Sequence, residues 1–245
     1  MNRQPLESPS TGQPDEPEFE WREGKSYFRG LLVERRRVVV GERELVISAL
    51  VDAAGLLDSE EYARPFIEQD IAPYGLELWP ASIMLGEHVA RIQPGAGRPA
   101  IELGCGGALV SIAAAFSGWN VIATDYESTA LSFARYNARV NEAVIRDIRH
   151  LDWRNPPADE KFPLVLGADV LYQRCDHADV LNCIRSLIAA RGLALICDPN
   201  RAVADGFSGS AAAAGFAVDV TSVSALDGDR KRVEGRIFRL TLGPT

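Results

Sequence analysis

The sequence predicts a doubly wound α/β domain whose seven-stranded sheet is mostly parallel and ends in an antiparallel hairpin. Three observations carry this expectation. From about Pro99 onward, short apolar runs alternate with helix-length segments, the pattern of βαβ crossovers. The short runs are nearly all apolar, as strands are when helices cover both faces of a sheet. The last two such runs are joined by a polar link too short for a crossover helix, so they must run antiparallel.

The elements follow in order. Met1 to about Gly24 holds four prolines, many acids and few apolar side chains, a composition that cannot bury enough surface to order itself. We therefore expect a disordered tail over residues 1–25. Residues 26–75 form a cover: a short hairpin, with Val38–Val40 and Leu45–Ile47 around Gly41, then a helical stretch within Asp52 to Asp70. Residues 76–245 hold the main domain. Its strands are expected at 100–103, 120–124, 144–149, 164–168, 193–197, 216–223 and 235–242. Its helices are expected at 109–116, 127–141, 177–189 and 205–214.

Bulk composition narrows the class. The chain has 245 residues, 47% hydrophobic and 24% charged, enough for a sizeable core without staples or metals. No apolar stretch reaches the ~20 residues that span a bilayer, and the polar N-terminus does not read as a secretory signal, so a cytoplasmic protein is expected. A net charge of −8 disfavours non-specific nucleic-acid binding. Arg35-Arg36-Arg37 reads as the solvated start of a strand. The four cysteines (Cys105, Cys175, Cys183, Cys197) are expected to be buried, reduced thiols. They do not cluster with the three histidines at metal-ligand spacing, and no metal is expected.

Chemistry concentrates where the first strand of the main domain meets its helix, at Glu102-Leu103-Gly104-Cys105-Gly106-Gly107-Ala108. Glycines there let the backbone approach a ligand, which in such sheets binds beyond the carboxyl ends of the strands. Asp125 ends the second strand, 21 positions after Gly104, where a carboxylate can accept hydrogen bonds from both hydroxyls of a ribose. A dinucleotide fingerprint needs a third glycine where Leu109 stands. Glu102 would repel a pyrophosphate but would welcome a sulfonium or an ammonium. Both points favour S-adenosylmethionine over NAD.

Four segments in this order resemble the seven-strand S-adenosylmethionine-dependent methyltransferases with a Rossmann-like sheet, and within them the DxxY-type protein-lysine methyltransferases. They are Tyr74-Gly75-Leu76-Glu77-Leu78-Trp79-Pro80-Ala81, Glu102 to Gly106, Leu151-Asp152-Trp153, and Ala168-Asp169-Val170-Leu171-Tyr172. Ala108 departs from the pattern, since relatives usually carry glycine there. The resemblance implies that Trp79 lines the cofactor pocket, that Glu102, Gly104 and Gly106 face the methionine half, and that Asp125 holds the ribose. It places Asp152 and Trp153 by the adenine. Cys105, Tyr126 and Ala168 complete the implied cofactor set.

Asp169 and Tyr172 are the catalytic candidates, three positions apart just past a strand end. In a helical turn both would project to one side, Asp169 to orient an amine and Tyr172 to meet its charge with the ring. The plainer reading makes Asp169 a helix cap and Tyr172 its packing partner. Asp198-Pro199-Asn200-Arg201 reaches the same edge, where Arg201 or Asn200 either touches substrate or simply forms a turn. The resemblance implies N-methylation of a protein lysine. Methylation of a small amine on the same fold, and a non-catalytic cofactor-binding module, remain the alternatives.

Overall fold

The computed structural model describes residues 19–22, 25–28, 31–51, 73–226 and 231–243. The helical stretch expected within Asp52 to Asp70, and most of the expected tail, lie outside the described residues.

The N-terminal part is a four-stranded antiparallel sheet in the order β1-β2-β3-β4: β1 Phe19–Arg22, β2 Lys25–Phe28, β3 Leu31–Val40 and β4 Arg43–Leu50. The hairpin expected around Gly41 is present but longer, with an unbroken register from Val40↔Arg43 to Val33↔Leu50. Strand β1 lies inside the stretch read as a tail. Phe19 accounts for it: its ring stacks on Tyr136 at 4.0 Å and meets Phe133 edge-on at 5.0 Å. Both partners lie over a hundred positions away, so local composition carries no trace of them. On the same sheet Arg36 is paired with Glu34, Arg37 with Glu44, and Arg35 donates to the Tyr136 hydroxyl of the main domain, so the basic run is engaged within the fold.

The main sheet has the expected seven strands: β5 Pro99–Leu103, β6 Asn120–Asp125, β7 Asp147–His150, β8 Phe162–Ala168, β9 Ile188–Asp198, β10 Phe216–Leu226 and β11 Arg232–Leu242. Their spatial order is β10-β11-β9-β8-β5-β6-β7. Strands β5 to β9 pair in parallel, and β11 runs antiparallel to both its neighbours. The chain winds outward from β5 through β6 to β7, then returns to start β8 on the other side of β5. The crevice between the carboxyl ends of β5 and β8 is thus the topological switch point, where such sheets bind ligands.

Among the described residues, five helices cover the sheet: α1 Pro80–Arg91, α2 Leu109–Phe116, α3 Ser128–Val140, α4 His177–Leu187 and α5 Phe207–Ala213. One core joins α1 and α2 to a face of the sheet and to Val38, Val40, Leu45 and Ile47 of the small sheet. A second core packs α4 and α5 on the opposite face. Several boundaries differ from expectation, and one helix was missed. Val144 is 86% exposed, so the third strand of the domain starts only at Asp147. Helix α4 stops at Leu187 and the chain passes directly into β9. Helix α1 was not expected at all. Its apolar spacing is regular, with Ala81, Met84, Leu85 and Val89 buried, but its N-cap is Trp79 without a side-chain bond and its interior holds Gly86. A Cβ at that glycine would come 2.7 Å from the end of the Leu109 side chain, which would have to shift.

The small sheet is fastened to the domain by two side-chain amides. Asn137 of α3 accepts from the Ser48 amide at 2.8 Å and donates to the Ser48 and Gly107 carbonyls at 3.1 and 3.0 Å. Asn141, one turn on, accepts from Val46 N–H and donates to Val46 carbonyl, both at 2.8 Å. Residues four apart on a helix and two apart on a strand have nearly equal spacing. The helix therefore serves as one more partner for the outer edge of β4.

Candidate active site

A cleft of about 590 Å³ opens at the switch point. The predicted residues Trp79, Glu102, Gly104, Cys105, Gly106 and Asp125 line it, and so do Tyr126, Asp152, Trp153, Ala168, Asp169 and Tyr172. Five separate stretches of chain thus converge on one space.

The glycine loop between β5 and α2 needs its residues for steric reasons. Gly106 has φ +50°, and a Cβ there would stand 2.8 Å from the Gly75 carbonyl oxygen. Gly104 has φ +61°, and its Cβ would press on Trp153 at 3.2 Å and Val170 at 3.1 Å. Ala108, the N-cap of α2, also adopts a left-handed backbone at φ +61°. An L-residue there costs about 1 kcal/mol, which explains why glycine is the expected occupant.

Two carboxylates face this loop. Asp125 is buried and held from both sides: Oδ2 accepts from Gly106 N–H at 2.9 Å and Oδ1 from Glu127 N–H at 3.0 Å. Burial pushes its acidity down, so its pKa lies above the usual carboxylate range in spite of those bonds. Each oxygen keeps a lone pair for a further donor. Glu102 is 1% exposed and accepts from the Ser111 hydroxyl. Burial raises its pKa to about 8, and the nearby Asp125 charge adds to the rise. Glu127, which sequence reading passed over, also lines the cleft, and burial followed by Asp125 lifts it to about 7. The cleft therefore holds carboxyls whose ionised forms a bound cation would stabilise.

Asp152 closes a turn. Arg154 reaches it with Nε at 2.8 Å and Nη2 at 2.9 Å while the Arg154 amide donates to Oδ1 at 2.9 Å. The Arg154 bonds hold its carboxyl down near 2. Arg154 also lies over the Tyr126 ring at 5.5 Å, and Tyr126 meets His150 at 5.2 Å.

No helical turn forms at Asp169. It sits at φ +57°, its amide bonded to the Cys197 carbonyl at 2.8 Å, and helix α4 begins only at His177. Asp169 is therefore neither a cap nor part of a helical face, yet both it and Tyr172 border the cleft. Asp169 is held by Arg201, whose Nε and Nη2 donate to its two oxygens at 2.7 and 2.8 Å. The same guanidinium lies 5.2 Å from the centre of the Trp79 ring. Tyr172 is 38% exposed, and burial, with Asp176 next, pushes its phenol up to about 12. Cys175 at the mouth is exposed, unlike the other three cysteines, so the expectation of four buried thiols fails there. Among the described residues no three metal-ligating side chains stand together, and no helix is long and apolar enough to cross a membrane.

A family model described as "Lysine methyltransferase" matches residues 65–207 of this sequence. The chain belongs to that lysine methyltransferase family. It is 30% identical over 143 residues to the protein N-terminal and lysine N-methyltransferase EFM7 of Eremothecium gossypii, covering 50% of this chain and 54% of that one. It is 31% identical over 146 residues to the protein N-lysine methyltransferase METTL21A of Mus musculus, covering 53% and 64%. The chain thus spans between about half and just under two thirds of these relatives' own lengths. Among solved structures, the glycopeptide N-methyltransferase MtfA complexed with S-adenosylmethionine superposes with a TM-score of 0.52 at 14% identity, over 66% of this chain and 94% of that one. A TehB-like methyltransferase from Corynebacterium glutamicum gives 0.51 at 15% identity, over 77% and 98%. These superpositions establish the fold.

Proposed function

We propose that this chain is an S-adenosylmethionine-dependent methyltransferase that methylates the Nζ of a lysine in a protein substrate. The observation that carries this reading is the convergence of a fixed ribose-type carboxylate (Asp125), a buried carboxylate suited to a cation (Glu102), and the Asp169–Tyr172 pair around one switch-point cleft. Gly106 comes so close to the Gly75 carbonyl that a side chain there would displace the loop that borders the cleft. When bound, S-adenosylmethionine supplies a methyl on a cationic sulfur: the C–S bond breaks as the amine lone pair forms the new N–C bond, and the positive charge passes to nitrogen.

The protein's own work is placement and electrostatics. Asp125 accepts the ribose hydroxyls with its remaining lone pairs. Glu102 balances the charge of the methionine half. Trp79 and Trp153 wall the cleft and exclude water, with Asp152 and Tyr126 on the adenine side. Asp169 accepts N–H bonds from the acceptor amine, and Tyr172 lines its approach. The mouth carries Glu77, Glu127, Asp176 and Asp179 against Arg154 and Arg201, which favours a cationic protein segment over an uncharged small acceptor. The cytoplasm fits this reading.

Calorimetric titration with S-adenosylmethionine and with NAD, repeated on Asp125→Ala, tests it. The expected result is micromolar S-adenosylmethionine binding that the substitution abolishes and no NAD binding. Tight NAD binding, or S-adenosylmethionine binding indifferent to Asp125, would overturn it.

A further inference from the structure

The ion pair at the end of β8 is built with more care than a surface contact requires. Asp169 and Asn200 are both non-glycine residues in the left-handed region, at φ +57° and +59°, on the ends of two neighbouring strands. The Asp169 amide is bonded to the Cys197 carbonyl at 2.8 Å. The Arg201 amide donates to Asp198 Oδ1 at 2.9 Å, and the Arg201 carbonyl accepts from Arg236 at 3.0 Å. Asp198 is in turn paired with Arg236 at 3.2 Å. The backbone on both sides is thus fixed so that the guanidinium meets Asp169 in bidentate fashion, with Trp79 across its face. The Asp169 side chain is 6% exposed and that of Arg201 33%, so solvent reaches the arginine but scarcely the carboxylate.

This pairing bears on a problem the proposed reaction poses. A lysine must present a lone pair, yet as a free side chain it is almost wholly protonated near neutral pH. An unpaired carboxylate beside the acceptor would hold it as the ammonium and work against attack. We propose that Arg201 sets the charge state of the acceptor amine, cancelling the Asp169 charge so that the nitrogen is held neutral while the carboxylate still orients it. A bidentate guanidinium uses one lone pair on each oxygen. The others remain for the N–H groups of a neutral amine, whose own lone pair stays free. Arg201 is thus a positioning residue acting through Asp169. Of the carboxyls at this end of the sheet, Asp198 is engaged with Arg236, Glu102 with Ser111, and Asp125 with two backbone amides, while Glu77, Glu127, Asp176 and Asp179 line the same cleft.

The inference rests on the cofactor reading above, and a pair of ligands separates the two. Sinefungin carries an amine-bearing carbon where S-adenosylmethionine has its methylated sulfur, so it brings an ammonium toward the acceptor position. S-adenosylhomocysteine has a neutral thioether there. The measurement is the ratio of their dissociation constants, S-adenosylhomocysteine over sinefungin, by calorimetry on the full chain near pH 7.5. Arg201→Gln should raise that ratio about tenfold, the scale of one partly screened charge pair. Arg201→Lys, which keeps the charge but not the bidentate, ring-stacked contact, should leave the ratio nearer that of the unsubstituted protein than Arg201→Gln does. Asp169→Asn should lower it, because the arginine then repels the ammonium unopposed. A merely structural role for Arg201 would weaken both ligands together and leave the ratio fixed. An unchanged ratio in Arg201→Gln would overturn the inference. So would equal ratios in Arg201→Lys and Asp169→Asn, a comparison that stands even where the glutamine variant does not fold. Failure of the unsubstituted chain to bind S-adenosylhomocysteine at all would instead overturn the cofactor reading, and this inference with it.

Discussion

Glu102 offers a quantitative handle on the site. Its carboxyl is 1% exposed, accepts one hydroxyl bond, and titrates near 8 rather than at its ordinary 4.5. At pH 7 the empty protein therefore carries about 0.9 proton on Glu102, and at pH 9 about 0.1. A ligand bringing an ammonium and a sulfonium favours the carboxylate, so binding near neutrality should expel most of that proton. The assay is the dependence of the binding enthalpy of S-adenosylmethionine on the ionisation enthalpy of the buffer. We expect release approaching one proton from Glu102 at pH 7, with up to about half a proton more from Glu127, which titrates near 7. The total should fall steeply by pH 9, and Glu102→Gln should remove the larger share. Stability follows the same linkage. A carboxyl whose pKa is raised on folding stabilises the fold fully below 4.5, and that contribution is lost as pH rises through 8. Each pKa unit is worth about 1.4 kcal/mol, so the empty protein should lose on the order of 5 kcal/mol across this window, and Glu102→Gln should flatten the profile. Proton release equal in the unsubstituted protein and Glu102→Gln, or growing from pH 7 to 9, would refute the reasoning.

Two further perturbations follow from the packing. Gly106→Ala must displace the Gly75 carbonyl, 2.8 Å from the new Cβ, and hold an alanine at φ +50°. Cofactor affinity should fall more than about tenfold, whereas Gly209→Ala in helix α5, with nothing within 4 Å of its Cβ, should leave affinity unchanged and add up to about 1 kcal/mol of stability. Asn137→Ala strands the Ser48 amide and two carbonyls. Chemical denaturation should show a loss of about 3 kcal/mol, with Tm lowered by roughly 10 °C.

Much of the main domain was legible because its central strands β5, β6 and β8 are buried on both faces and its helices punctuate the strands regularly. Asp125, Gly104 and Gly106 could be read as cleft residues because a glycine turn at one strand end and an acid at the next occur at a recognisable spacing. What escaped depended on partners distant in sequence. Phe19 orders β1 only through Tyr136 and Phe133. Helix α1 was hidden by Gly86 and by the lack of a side-chain cap. The grip of α3 on β4 left one usable signal, a pair of asparagines four apart in an otherwise good helical pattern, where buried amides must find backbone partners. The Asp169–Arg201 pair joins residues 32 apart, and Arg201 could be read as either a turn residue or a substrate contact. Its Asx-type bond to Asp198 makes it both a turn residue and part of the site.

The most direct measurement is transfer itself. The purified chain would be incubated with methyl-labelled S-adenosylmethionine and a cell protein extract, and the labelled protein digested and sequenced by mass spectrometry. Label on a lysine Nζ, lost when Asp125→Ala replaces the unsubstituted chain, is the result this account predicts. Label confined to small amines, or to an arginine or a carboxylate, or equal with Asp125→Ala, would contradict it.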